Sequence, residues 1–322
     1  MIKVYMRDNQ TICAVDLSTL EGVIDKHQII WIDLISPSND EIDHIASCYG
    51  IEFPTKQERE EIELSSRYWE DHYSITINAY FFVAFFFARH TKDPYNETVT
   101  FIVQDDILVT MRYRELKTFE EISKRLISRK ESRLNGYDVM IQIFDVRVDA
   151  DADILEYAAK EINTMRQKIF SEHKQSAEEI LHRIAQIQEF NLRIRETVFD
   201  KRRIVASLQK SNKIAPKLKD ELAILSKDIH SLIEFTTINL NALDNLQNLF
   251  LGQINIEQNK IIKLFTVASV ALMPPTLVAS LYGMNFQYMP ELSWKLGYPF
   301  AIAMMTISAF IPLIYFRKRG WL

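Results

Sequence analysis

The sequence predicts an α+β/α membrane protein, in which an N-terminal α/β domain is followed by long helices and a C-terminal pair of transmembrane helices. Strand and helix patterns alternate in the N-terminal part, residues 137–262 hold almost no helix-breaking residues, and two uncharged runs, 264–282 and 296–316, lie close together near the C-terminus. The chain has 322 residues, of which 48% are hydrophobic, and this apolar content is concentrated near the C-terminus.

Residues 1–136 are predicted to form a cytosolic α/β domain around a central sheet. Six segments have strand character: 2–6, 11–16, 29–34, 75–88, 99–103 and 107–112. The apolar run 75–88 is too short to span a membrane as a helix and is rich in aromatic and β-branched residues, so a buried strand is favoured. Asp105 and Asp106 predict a hairpin turn between the last two strands.

Helical patterns separate these strands and then dominate the middle of the chain. Residues 39–49 place apolar side chains on one face, and a second helix, opened by Pro54, is predicted over 55–64. Residues 137–262 are predicted to be long cytosolic stalk helices, divided by a break near 211–217 that contains Pro216. Because no proline follows until Pro274, one helix of about 60 residues, roughly 90 Å long, is expected to enter the membrane.

The two uncharged runs predict a membrane hairpin. Nineteen residues from 264 to 282 would form about 28 Å of helix, close to the hydrocarbon thickness of a bilayer. A buried core helix of a soluble protein is the alternative, but the second uncharged run after a short loop favours the membrane. We predict a first span at 263–282, a periplasmic loop at 283–296, a second span at 297–316 and a basic tail at 317–322.

The charges that flank the hairpin predict its orientation. Lys260 and Lys263 precede the first span, and Arg317, Lys318 and Arg319 follow the second, whereas the loop holds one Glu and one Lys. Since positively charged flanks remain in the cytoplasm, both termini are expected inside and the loop outside.

Composition argues against several classes of function. The net charge is −5, which argues against a nucleic-acid partner. The N-terminus has no apolar segment typical of a signal peptide, and Cys13 and Cys48 have no metal-ligand or disulfide spacing. No phosphate-binding loop and no Ser/His/Asp set is recognisable, so we expect neither an enzyme nor a bound cofactor.

Hydroxyl and apolar side chains follow one face of the first span. This stripe consists of Thr266, Ser269, Met273, Thr276 and Ser280, and extends backward to Asn259 and Ile262. Small polar residues at such spacing either hold helices together or line a pore, and periodicity leaves both interpretations open. The second span has few polar residues, which suits a lipid-facing helix. Because two helices cannot enclose a water path, the pore interpretation requires a ring of subunits.

Three aspartates on a predicted helix resemble the opening of a calcium loop. They are Asp149, Asp151 and Asp153, but Ile154 and Lys160 occupy the positions that need Gly and Glu, so the EF-hand interpretation fails. A solvated helix face and a weak divalent-ion site between subunits remain as alternatives.

The residues that follow the first span have two interpretations. Gly283 is an ordinary C-terminal residue for a helix. At the outer mouth of a pore, however, the backbone carbonyl of Gly283 and the side chain of Asn285 would offer neutral oxygens to a hydrated ion. Mg²⁺ holds its water tightly, so recognition through its hydration shell suits such oxygens.

Several motifs resemble those of the CorA family of magnesium transport proteins. They are YGMNF at 282–286, MPEL at 289–292, GYP at 297–299, the pore-helix segments 254–263 and 273–280, the ending RKRGWL at 317–322, and the segment EEIELSSRYWED near 60–71. The resemblance is specific from 254 to the end and looser before it. It implies a homopentamer in the inner membrane of a prokaryote, with an α/β/α cytosolic domain and a stalk helix that continues into the first span.

The resemblance also implies substrates and residue roles. The family admits Mg²⁺, with Co²⁺ and Ni²⁺ as further substrates, needs no ATP, and closes when Mg²⁺ binds between cytosolic domains. Gly283, Met284 and Asn285 would form the selectivity filter, and Glu291 would raise the local cation concentration. The implied pore-lining and gate positions are Asn259, Ile262, Phe265, Thr266, Ser269, Met273, Thr276 and Ser280.

The sequence and the family resemblance leave some residue roles and functions open. Phe265 stands where the family often has an aliphatic gate residue, so either Phe265 or Thr266 faces the pore. Asp149, Asp151 and Asp153 are weak candidates for the regulatory metal site. A zinc transporter of the same superfamily is one alternative function, although the sequence after GMN lacks the glycines typical of that branch. A membrane-tethered scaffold is another, but it has no use for the stripe.

Overall fold

The computed structural model describes residues 1–8, 11–16, 26–61, 67–83, 94–128, 134–170 and 176–321. The chain divides into two compact units, Met1–Asn245 and Leu246–Leu322.

A seven-stranded mixed sheet forms the centre of the first unit. Its strands are β1 Ile2–Asp8, β2 Thr11–Asp16, β3 Ile29–Ile35, β4 Tyr68–Glu70, β5 Ser74–Val83, β6 Tyr95–Gln104 and β7 Ile107–Arg112. Their order is β2-β1-β3-β7-β6-β5-β4, in which β3 and β7 are parallel and the other neighbours antiparallel. All residues of β3 and β7 are buried, which is typical of a strand pair covered on both faces.

Seven α-helices are present in the described part of the chain. They are α1 Asn39–Tyr49, α2 Lys56–Glu60, α3 Lys117–Ser128, α4 Gly136–Phe170, α5 Ala177–Lys210, α6 Pro216–Tyr282 and α7 Gly297–Lys318. Short 3₁₀ helices occupy Lys26–Gln28 and Pro290–Ser293. One hydrophobic core joins the sheet to α3, α4, α5 and the first turns of α6, and a second core joins it to α1. The predicted α/β/α layering is therefore confirmed.

The strand predictions are confirmed with small shifts of their ends. β6 begins at Tyr95, four residues earlier than predicted, and β5 occupies Ser74–Val83, whereas residues 84–88 of that predicted strand lie outside the described residues. The hairpin turn adopts positive φ at both Asp105 (51°) and Asp106 (65°). This is the backbone of a type I′ turn, whose twist matches that of the strands it joins.

Capping residues decide where the first two helices begin. Ser38 and Glu41 form a reciprocal capping box at the start of α1, which has the predicted bounds. The second helix was predicted to open at Pro54, but the same kind of box between Thr55 and Glu58 makes it begin at Lys56. The predicted length of that helix is wrong, because Glu61 is already extended (φ −66°, ψ 146°).

The long helical region has one more break than the sequence analysis predicted. The break before Pro216 is confirmed, and Pro216 is the first residue of the 67-residue helix α6. A second break separates α4, which ends at Phe170, from α5, which begins at Ala177. Ser176 caps α5 by accepting a hydrogen bond from the backbone N–H of Glu179 at 3.2 Å.

Strand β5 extends beyond its partner β4, which pairs only with Ile75–Ile77. The next backbone groups on that edge are buried and bind charged side chains instead of a strand. The contacts are Arg67 to Asn78 O at 3.4 Å, Tyr80 N to Asp200 at 2.8 Å, Lys201 to Tyr80 O at 2.9 Å, and Arg147 to Phe82 O at 2.9 Å. Side chains from α4 and α5 thus complete the hydrogen bonding of the sheet edge.

These charges form a buried network that also includes Asp151. We call Arg67, Arg147, Asp151, Asp200 and Lys201 the edge cluster. Asp151 contacts Arg147 and lies 3.0 Å from the Lys201 ammonium, while Asp200 lies 3.8 Å from Arg67. Burial lowers the pKa of Lys201, an effect that the charge of Asp151 opposes, and burial raises the pKa of Asp200. The cluster is stable only while each charge keeps its partner.

Replacing Lys201 by Met is expected to destabilise the first unit by about 3–5 kcal/mol, because Asp151 loses a cation and Tyr80 O loses its donor. The midpoint of thermal unfolding of the full chain in detergent measures this effect. Arg202→Met is the matched control, since Arg202 is the exposed neighbour on α5 and its loss should cost less than about 0.5 kcal/mol. Equal midpoints for the two variants would contradict the role of the edge cluster.

Candidate ion-conduction site

The second unit contains a helical hairpin of the kind that crosses membranes. Helices α6 and α7 both contain stretches that are long and apolar enough for this purpose. The Lys263 ammonium lies 5.8 Å from the ring centroid of Trp321, so the start of the first span meets the end of the second. The predicted hairpin is therefore present, and α7 runs two residues beyond its predicted end.

One face of the first span packs inside this unit, and another stays exposed. Val267 and Ala271 retain only 3% and 6% of their accessible surface, whereas Ile262, Phe265 and Met273 retain 60%, 66% and 67%. At about 100° of rotation per residue, the predicted stripe lies roughly opposite the face that holds Val267 and Ala271. The hairpin unit thus leaves most of the stripe available to other copies of the chain or to water, as it also leaves Leu264, Leu272 and Leu277 on other faces of the span.

The threonine hydroxyls on the stripe have defined orientations. Thr266 donates to the backbone carbonyl of Ile262 at 2.8 Å, and Thr276 donates to that of Leu272 at 2.7 Å. Since each proton is used within the helix, the hydroxyl oxygen offers its remaining lone pairs outward as an acceptor. Such oxygens suit the water protons around a hydrated cation.

Phe265 and Thr266 differ in accessibility. Both lie roughly 50° from the centre of the stripe, on opposite sides of it. Phe265 is exposed, whereas Thr266 is half-buried. The single chain therefore presents Phe265 more fully, and which of the two faces a pore stays a prediction.

Two prolines interrupt the hydrogen bonds of the first span beside Met273. Pro274 and Pro275 lie inside α6 and have no N–H, so the carbonyls of Val270 and Ala271 lose their usual donors four residues later. In a membrane, such carbonyls are tolerated where a neighbouring helix or water satisfies them. This local opening of the backbone lies one turn from the predicted constriction.

The GMN residues lie directly after α6. The helix ends at Tyr282, Gly283 N–H donates to Ala279 O at 3.0 Å, and Met284 N–H donates to Leu281 O at 3.3 Å. Gly283 does not adopt the left-handed conformation of a typical C-terminal glycine, which among the described glycines occurs at Gly50 and Gly320. Glycine instead avoids a tight contact, because a Cβ at this position would lie 3.2 Å from Ala279 O. Asn285 follows in an exposed position outside regular secondary structure.

A tight turn holds the rest of the outer loop. Glu291 lies exposed in the 3₁₀ helix Pro290–Ser293, and Gly297 donates its N–H to Trp294 O at 3.0 Å. A Cβ at Gly297 would collide with the backbone carbonyl of Glu291. The absence of a side chain at Gly297 thus allows the close approach of the backbone of Glu291, the residue that carries the one carboxylate of the loop.

The three aspartates of the predicted regulatory site do not share one environment. Asp149 and Asp153 are exposed, as a solvated face predicts, but Asp151 is fully buried in the edge cluster. Asp145 was not singled out by the sequence analysis, although its i, i+4 spacing to Asp149 was visible. Burial, together with the charges of Asp149 and Asp228, raises the pKa of Asp145. Within the described residues, no group of three or more His, Cys, Asp or Glu side chains could hold a metal ion.

The fold defines a class, that of membrane proteins with a large α/β unit and a hairpin of two membrane-crossing helices. The chain belongs to the family of CorA-like Mg²⁺ transporter proteins, whose family model matches residues 26–318.

Known proteins support this membership along the whole chain. The magnesium transport protein CorA of Wolinella succinogenes is 47% identical over 322 residues and 100% of both chains. The proteins of the same name from Campylobacter jejuni RM1221 and Helicobacter pylori 26695 are 48% and 39% identical, over 91% and 100% of both chains. The solved CorA structure from Methanocaldococcus jannaschii has a TM-score of 0.85 at 18% identity, covering 100% of this chain and 99% of that one.

Replacing Gly297 by Ala is expected to destabilise the outer loop by about 1–3 kcal/mol, because the new methyl group overlaps the Glu291 carbonyl. Thermal unfolding of the detergent-purified protein measures the change. Gly252→Ala serves as the control, since a Cβ there meets no atom within 4 Å and alanine favours a helix by about 1 kcal/mol. A Gly297 variant as stable as the control would contradict the close approach.

Proposed function

We propose that this protein is a homopentameric, channel-like transporter that carries Mg²⁺ into the cell down its electrochemical gradient, with Co²⁺ and Ni²⁺ as further substrates. The single observation that supports this most is the exposed stripe on the first span, which leads to Asn285 and lies away from the packed face of the hairpin. Membership of the family of CorA-like Mg²⁺ transporter proteins supports Mg²⁺ as the transported ion. We place the protein in a prokaryotic inner membrane with both termini in the cytoplasm, since the basic residues flank the hairpin on that side.

The pore in this proposal is formed by five copies of the first span around one axis. A single hairpin cannot enclose water, whereas a ring of stripes provides a continuous wall. Ile262, Phe265 and Met273 would form apolar constrictions that close by excluding water. Between them, Ser269 and the threonine hydroxyls would accept hydrogen bonds from the hydration shell of the ion, and Asn259 would do so at the cytoplasmic end.

Gly283, Met284 and Asn285 form the proposed selectivity filter. Mg²⁺ dehydrates reluctantly, so a ring of neutral amide oxygens can recognise its water shell without binding the ion too tightly to release it. The exposed carboxylate of Glu291, repeated in five copies, would concentrate cations at the outer mouth.

The membrane potential supplies the inward drive in this proposal. Moving one elementary charge through 100 mV changes its energy by about 2.3 kcal/mol, so a divalent ion gains about 4.6 kcal/mol. Transport therefore requires no ATP.

Intracellular Mg²⁺ would close the pore by binding between neighbouring cytosolic units. Asp149 and Asp153 remain candidate ligands because they are exposed, and Asp145 adds a nearby carboxyl. Asp151 is unsuited to this role, since Arg147 and Lys201 already neutralise it inside one chain. A site of this kind needs a second subunit to complete its ligand set.

The sequence allows two other functions, a zinc transporter and a membrane-tethered scaffold. The cytoplasmic domain of ZntB from Vibrio parahaemolyticus shares the fold of this chain with a TM-score of 0.60, but 10% identity supports the fold alone. The relatives that are 39–48% identical are all named magnesium transport proteins, which favours Mg²⁺ over Zn²⁺. A membrane-tethered scaffold would not require an exposed stripe of hydroxyl groups.

The filter is tested by Mg²⁺ uptake into proteoliposomes that contain this protein alone. Asn285→Ala is expected to reduce the initial rate about tenfold or more, because losing hydrogen bonds worth about 1.4 kcal/mol changes an equilibrium tenfold. Gln287→Ala is the matched control, an exposed amide two residues further along the same loop. No uptake by the wild type, or equal rates for the two variants, would overturn the filter proposal.

The pentamer is tested by cross-linking the purified protein in detergent. The ladder of products is expected to end at five subunits, because the pore needs a closed ring. Cross-linked products that end at two subunits would contradict the pore model, whichever ion is transported.

A further inference from the structure

We propose that the cytoplasmic end of the membrane hairpin binds the phosphate group of an anionic phospholipid. The binding surface, which we call the basic corner, consists of Lys263, Arg317, Lys318, Arg319 and Trp321. The inference requires that the hairpin spans a membrane, but it does not depend on which ion the protein carries.

Positive charge is unevenly distributed between the two ends of the hairpin. One end has the four cations of the basic corner together with Lys260, and Glu257 is the one acidic side chain near them in the sequence. The other end has one acid and one base, Glu291 and Lys295. A phosphate at the level of the headgroups is therefore attracted to the first end and not to the second.

The tail is folded into a defined turn that presents this charge. Gly320 has a φ of 70° and ends helix α7. Its N–H donates to Arg317 O at 3.1 Å, and the N–H of Trp321 donates to Phe316 O at 3.1 Å. This is the hydrogen-bond pattern of a Schellman motif, and the stacked rings of Phe316 and Trp321, 5.2 Å apart, supply the apolar contact that often accompanies it.

The folded tail then contacts the other helix of the hairpin. The Lys263 ammonium lies 5.8 Å from the ring centroid of Trp321, and the Arg319 guanidinium lies 5.7 Å from the ring centroid of Tyr315. Tryptophan and tyrosine favour the headgroup level of a bilayer, where they are both apolar and hydrated. Aromatic rings thus hold two of the cations at the depth where lipid phosphates lie.

Two simpler roles explain the charges but not this arrangement. Cations in the last turn of α7 complement the helix dipole, and positive flanks orient a hairpin during insertion. Both roles depend on charge alone and would be served by a disordered tail. Neither requires the left-handed Gly320, the stacked rings, or the contact that brings Lys263 from α6 to the tail of α7.

The test compares lipids added to the purified full-length protein in neutral detergent. Phosphatidylglycerol is expected to raise the midpoint of thermal unfolding by several degrees more than phosphatidylcholine, because a ligand that binds the folded state stabilises it by mass action. The difference should shrink as NaCl is raised from low ionic strength, since salt screens exposed charges. Inorganic phosphate at the same concentration should have no such effect, which separates a lipid from a free anion.

Variants locate the effect. Replacing Arg317, Lys318 and Arg319 together by Gln is expected to remove at least about half of the phosphatidylglycerol-specific shift, and Lys263→Gln should reduce it when tested alone. Lys295→Gln, at the opposite end of the hairpin, is the control and should leave it unchanged. Gly320→Ala keeps every charge but disfavours the left-handed turn, so it should also reduce the shift.

Several outcomes would overturn the proposal. One is that phosphatidylglycerol and phosphatidylcholine raise the unfolding midpoint equally. Another is that the Lys263 variant and the triple variant both keep the full phosphatidylglycerol-specific shift. A third is that the Lys295 variant loses as much of this shift as they do. If Gly320→Ala retains the whole shift while the charge variants lose it, the charges act without the built corner and the site as described is wrong. The Lys263 variant keeps the test decisive if the triple variant does not insert into the membrane.

Discussion

Backbone polar groups that leave water must find hydrogen-bond partners, and this constraint shapes both units of the protein. In the first unit, β4 is too short to cover the edge of β5, so four charged side chains bind the buried and partly buried backbone groups beyond it. The cost of burying those charges is offset by pairing them with one another through Asp151 and Asp200. The strand edge, α4 and α5 are therefore linked by a single polar network.

The same constraint has a different solution in the membrane hairpin. Helices satisfy their own backbone, so irregular geometry is confined to sites where something else replaces the missing bonds. Pro274 and Pro275 leave the carbonyls of Val270 and Ala271 without their helical donors within one turn of Met273, and the chain leaves the helix at Gly283, where the filter is proposed. These departures from a regular helix lie next to the residues to which we assign ion transport.

Much of the fold could be predicted because the signals are local. The two spans, the aspartate hairpin turn and helix α1 each follow from a stretch of residues whose composition or capping box specifies one structure. The second break in the long helices was missed, although Ser176 and Glu179 have the spacing of a capping signal. The end of α2 was also misplaced, because the extended backbone of Glu61 ends that helix, while residues 62–64 of the predicted helix lie outside the described residues.

The sequence by itself determined the membrane hairpin and the stripe along its first helix, since a run of uncharged residues and a helical period are properties of consecutive residues. The family followed from the resemblance of short motifs such as YGMNF at 282–286. Only the tertiary structure decided which aspartates are available to an ion. Asp151 meets Lys201 across fifty residues of sequence, so no local pattern could separate it from Asp149 and Asp153. The tertiary structure likewise showed that the first span buries Val267 and Ala271 inside the hairpin unit, whereas Ile262 and Met273 on the opposite side of the helix stay exposed.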